Sequence, residues 1–98
     1  MATATLWVLM NVALVADWGQ TRHIAKNPTL YYEQANPVIQ GHPTVGQVDA
    51  WFIGSLVVNN GIMLILPKKY RPYYAGVVTA MEAHFIISNN QIGIKISF

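Results

Sequence analysis

An all-α membrane protein with three transmembrane helices is the architecture this sequence predicts, and three observations predict it. Hydrophobic residues make up 53% of the 98 residues and charged residues only 10%, where a soluble domain carries roughly 25% charged. Uncharged or nearly uncharged runs recur at about 2–25, 45–66 and 72–91. Proline-bearing stretches separate them. The length sets one domain, 1–98, because a chain this small cannot divide into two cores.

The first run, Ala2 to Ala16, lacks the basic start and the small residue at the cut site that a secretory leader needs. It is therefore expected to be a retained helix. Fifteen residues span only ~22 Å, so the helix is expected to continue through Asp17 to about Ala25 and cover the ~30 Å of a hydrocarbon core. From Lys26 to Pro43 the prolines of Asn27-Pro28, Asn36-Pro37 and His42-Pro43 mark a Pro-rich loop. Its Tyr31-Tyr32 pair suits the headgroup level of a bilayer.

Thr44 and Gln47 stand at capping-box spacing and open the second helix, and Pro67 closes it. Gly46, Ala50, Gly54 and Gly61 form a small-residue stripe along that helix, the kind of face on which another backbone approaches closely. The turn Lys68-Lys69 to Arg71 is short enough to fold the second and third helices into a tight hairpin. Pro72 sits where a third helix starts. Ala75, Thr79 and Ala83 give that helix its own packing stripe. Beyond residue 91, Ile92, Ile94, Ile96 and Phe98 alternate with Gly93, Lys95 and Ser97, an irregular or strand-like tail. Three cations in one short turn place that turn in the cytoplasm by the positive-inside rule, against Arg22, Lys26 and Lys95 on the other side, and a bacterial inner membrane is the expected location.

Composition removes several functions. The six basic residues are scattered and form no stripe that a phosphate backbone could follow, so no nucleic acid is expected as a partner. The chain has no cysteine, hence no disulfide, thiolate metal site or cysteine nucleophile.

The polar residues are the candidates for function. Asp17, Gln20 and Thr21 share one face of the first helix at i, i+3 and i+4, with Arg22 and His23 beside them, and Asp17 is expected to pair with Arg22 or with another helix. Glu82 falls near the middle of the third helix, where an ionised carboxylate needs a specific partner such as Asn59, Asn60 or Gln20. His84, two residues on, projects from another face. Its simplest role is a neutral histidine bonded between helices, ranked ahead of metal or tetrapyrrole ligation. Asn59 and Asn60 are expected to bond across helices. The loop side contributes Glu33, Asn36, His42 and Asp49, which with Asp17 and His23 make a conceivable hard-metal cluster or proton relay, but no paired metal motif is present, and no metal or cofactor is predicted.

The run Asp17-Trp18-Gly19-Gln20-Thr21-Arg22-His23-Ile24-Ala25, followed by Glu33, Asn36-Pro37-Val38-Ile39 and His42-Pro43, resembles a pattern in small membrane proteins of bacteria and their phages. The resemblance covers the first half of the chain and brings no activity with it. It implies that the Asp17 face and the loop belong to one unit.

Three functions are compatible with these residues. The leading expectation is a non-enzymatic accessory or modulatory subunit that packs against other membrane-protein subunits or itself among membrane lipids. The alternatives are an oligomeric, holin-like pore lined by Asn59, Asn60, Glu82 and His84, and a membrane enzyme with a carboxylate and histidine site.

Overall fold

The computed structural model describes residues 2–27, 44–96 and 98. It contains three helices: α1 (Thr3–Lys26), α2 (Val45–Ile65) and α3 (Arg71–Gln91). The Pro-rich loop, with Glu33 and His42, lies outside the described residues.

The helix limits follow from local chemistry. Thr44 and Gln47 form a complete capping box, Gln47 N–H donating to Thr44 Oγ1 at 3.1 Å and Thr44 N–H to Gln47 Oε1 at 2.9 Å. At the other end Leu66, preceding Pro67, is extended (φ −68°, ψ 142°), as a residue before proline prefers. Arg71 donates to the carbonyls of Leu66 (3.0 Å) and Leu64 (3.1 Å), so one cation of the turn satisfies acceptors that the end of α2 leaves open.

One expectation about these helices is overturned. Only α2, among the described residues, is long and apolar enough to cross a membrane, so three transmembrane helices are not supported. The whole-chain deficit of charge is not shared evenly. Asn11, Asp17, Gln20, Arg22 and His23 interrupt α1, and Glu82, His84, Asn89 and Asn90 interrupt α3, whereas Ala50 to Ile65 carries no charge.

The expected tight α2–α3 hairpin also opens out. The helices are joined by a short turn but barely touch along their lengths; α1 lies between them and packs most extensively on α3. Two apolar clusters hold this arrangement. Met10, Leu14, Met63 and Ala75 form one, flanked by Leu6, Trp7, Leu56, Tyr74 and Val78. Val48 and Phe52 form the other with Trp18, Ala25 and Trp51, and the Trp18 and Phe52 rings stack at 6.4 Å.

The tail is irregular rather than a strand. Gly93 takes φ 91°, Gly93 N–H bonds Asn90 O (3.1 Å) and Ile94 N–H bonds Asn89 O (3.0 Å), the paired bonds of a Schellman stop. That turn sends the chain back onto α1. Ile94 is buried, the Phe98 ring meets Trp18 edge-on at 5.9 Å, and Lys26 Nζ donates to Phe98 O at 2.7 Å. Gly19 makes the approach feasible: a Cβ there would sit 2.7 Å from Phe98 Cε2 and collide with Ile96. Gly19→Val is therefore expected to displace the tail at a cost of about 1–3 kcal/mol, read as faster amide hydrogen exchange at Ile94 and Ile96 and a lower Tm.

Candidate functional site

The polar residues of the helices meet one another at helix contacts. Asn60 and Asn11 exchange amide hydrogen bonds across α2 and α1: Asn60 Nδ2 donates to Asn11 Oδ1 at 2.7 Å, and Asn11 Nδ2 to Asn60 Oδ1 at 3.0 Å. Trp7 Nε1 donates to the same Asn60 oxygen at 2.7 Å. Asn59, one residue earlier, turns to α3 and accepts from the Tyr74 hydroxyl at 2.5 Å. The two amides thus tie α2 to different neighbours, and the expectation that they bond across helices is met.

Asp17, Gln20 and Thr21 are all buried, and they face α3. Gln20 Nε2 donates to the Ile86 carbonyl at 3.0 Å, while its Oε1 accepts from Asn89 at 3.3 Å. Thr21 Oγ1 donates to the Asp17 backbone carbonyl at 2.8 Å and lies 3.3 Å from Asp17 Oδ1. The Glu82 side chain of α3 is near enough to act on the Asp17 carboxyl, so the structure brings these two candidates together. Burial pushes the Asp17 carboxyl above its ordinary value of 3.8, the opposing hydrogen bonds from Glu82 and Thr21 notwithstanding.

Of the two partners expected for Asp17, Arg22 or another helix, the structure gives the second, and Arg22 turns elsewhere. It forms an ion pair with Asp49 of α2, whose same oxygen accepts from Trp18 Nε1 at 2.9 Å. The reason is helical phase: Asp17 looks toward α3 while Trp18 and Arg22, one turn apart, look toward α2. Asp49 was only a loop-side acid in the sequence, and its place four residues after Val45 was the available signal that it sits on the first turns of α2.

His84 is exposed, with its ring against Phe85 at 5.8 Å, and it is not part of the Asp17 cluster. Among the described residues no three histidine, aspartate or glutamate side chains gather where one metal ion could be held.

The small-residue stripes divide. In α2, Gly46, Ala50 and Gly54 are exposed, and a Cβ at Gly54 or Gly61 would meet nothing within 4 Å. That stripe faces away from α1 and α3. In α3, Ala75 is fully buried in the first cluster, Thr79 donates to the Ala75 carbonyl at 2.6 Å, and Ala83 is half-buried.

Geometry therefore defines a layered three-helix protein with one helix capable of crossing a membrane and with polar pairs between its helices. No family model, curated protein or solved structure matches the chain.

Proposed function

We propose that the chain is a small membrane-inserted accessory subunit, anchored through α2, that offers the outer faces of its helices to other membrane-protein subunits. One observation carries the reading: α2 is apolar without being a core helix. Val57 is 69% exposed, Leu64 66% and Ile65 82%, which is costly in water and favourable against lipid or an apolar partner.

The neighbouring helices extend the argument. Val8, Val12 and Val15 make an exposed stripe on α1, and Tyr73, Val77 and Met81 another on α3. Because α1 and α3 also carry buried polar groups, protein contact suits their outer faces better than bulk lipid does. The outward small-residue stripe of α2 provides a surface for close helix contact. The bacterial inner membrane, with the Lys68-Lys69 turn toward the cytoplasm, fits the charge of that turn.

Mild-detergent purification of the chain from its native membrane, followed by native mass spectrometry, tests this reading. A defined heteromer or a fixed oligomer is expected. A lipid-free monomer recovered without detergent would remove the proposal.

A further inference from the structure

The turn between α2 and α3 carries positive charge that nothing among the described residues answers. Lys68 and Lys69 are exposed, and neither forms an ion pair with a described carboxylate. Arg71 is committed to α2, its guanidinium donating to the carbonyls of Leu66 and Leu64. The backbone holds the turn in place: Tyr70 N–H donates to Pro67 O at 2.9 Å, and Arg71 N–H to Lys68 O at 3.4 Å. The Tyr70 ring positions Lys69, whose Nζ lies 4.9 Å from the ring centroid.

The described acids lie elsewhere. Asp49 is on the first turns of α2, at the far end of that helix, where it answers Arg22. Asp17 is in the second half of α1 and is buried. Glu82 stands eleven residues along α3 from Arg71, about 16 Å of helix rise. That is well beyond the ~8 Å over which exposed charges act on one another in physiological salt. The first turn of α3 holds no acid, so the positive end of its dipole adds to the three cations.

The flanks of the turn point to the kind of anion that fits. Leu64 and Ile65 of α2 and Tyr70 and Tyr73 beside α3 are all exposed. Apolar side chains, tyrosines and ammonium groups thus follow one another over the last turn of α2, the connecting turn and the first turn of α3. That order matches the interface of a bilayer, where phenol rings sit at headgroup level and lysine stems lie along apolar surface with the ammonium in the polar layer. An acidic protein surface would match the lysines alone.

We infer that the Lys68–Lys69 turn is a binding surface for anionic phospholipid headgroups, with the two ammonium groups on lipid phosphates and Tyr70 and Tyr73 beside them at the edge of the acyl region. The inference rests on the membrane insertion proposed above and names the lipid class that the inserted chain selects.

The test uses the full chain in neutral detergent, titrated with equal amounts of phosphatidylglycerol and phosphatidylcholine of identical acyl chains. Bound lipids are counted by native mass spectrometry. Identical acyl chains cancel the apolar contribution, so the ratio reads the headgroup. A preference for phosphatidylglycerol of roughly thirtyfold is expected, about fivefold per lysine, and it should fade as ionic strength rises. Lys68→Gln/Lys69→Gln, at two exposed positions, is expected to remove most of the preference. Lys26→Gln/Lys95→Gln takes the same charge from the opposite end of the molecule and is expected to keep it. A native ratio near one, which would leave the turn to an acidic protein surface, overturns the inference. So does an equal fall in both double variants, the mark of net charge alone. Insertion is read separately, by alkaline carbonate extraction from phosphatidylcholine vesicles. A chain that is extracted yet prefers phosphatidylglycerol would remove α2 insertion and keep the headgroup surface; a chain that is retained without preference would do the reverse.

Discussion

Val57→Lys is expected to expel α2 from the membrane fraction. Val57 lies near the middle of Val45–Ile65 and is 69% exposed. A lysine at the centre of a membrane-crossing helix costs about 2.5–3.5 kcal/mol on insertion scales, roughly a hundredfold in the inserted population. The same change on a helix surface in water is worth less than about 0.5 kcal/mol and leaves solubility unchanged or improved. The two environments therefore give opposite outcomes. The readout is the share of chain that stays in the pellet after alkaline carbonate extraction, with Val57→Leu as the control that keeps insertion intact.

The second large effect separates packing from insertion. Asn60→Leu makes α2 more apolar, so insertion should be unimpaired, yet it takes away the shared acceptor of Trp7 and Asn11 and the donor to Asn11. Leaving such half-buried groups without partners costs about 1–3 kcal/mol, toward the lower end where other polar groups can substitute. A lower Tm in detergent with unchanged membrane extraction is the expected combination. Asn11→Leu added to Asn60→Leu should recover part of the loss, because replacing both partners removes the stranded amide.

The helices themselves were legible. The capping box of Thr44 and Gln47, Pro67 and Pro72 mark the limits of α2 and α3 to within a residue, because each acts through local backbone chemistry that needs no tertiary context. What each helix faces was not legible. A low overall charge cannot say which of three helices is free of polar groups, and α1 buries Asp17 and Gln20 against α3, where burial makes hydrogen bonding obligatory.

Partnering shows the same limit. Periodicity put Asp17, Gln20 and Thr21 on one face, but only the position of α1 between α2 and α3 decides that this face meets Glu82 while Arg22 meets Asp49. The tail stayed open between irregular and strand-like for a different reason. Alternating Ile92, Ile94 and Ile96 reads as a strand, although Gly93 directly after a helical run is also a helix stop. Gly19 gave no signal alone, since the segment that requires its missing side chain lies at the other end of the sequence.

Membrane crossing by α2 is the claim on which the functional proposal rests, and the chain's lack of cysteine makes it directly measurable. Single substitutions Gln47→Cys, Val57→Cys and Lys69→Cys in sealed membrane vesicles would be treated with a membrane-impermeant maleimide from one side. The account requires Gln47→Cys and Lys69→Cys to be labelled from opposite sides and Val57→Cys from neither. Labelling of all three from the same side would show that α2 does not cross, and would contradict the account.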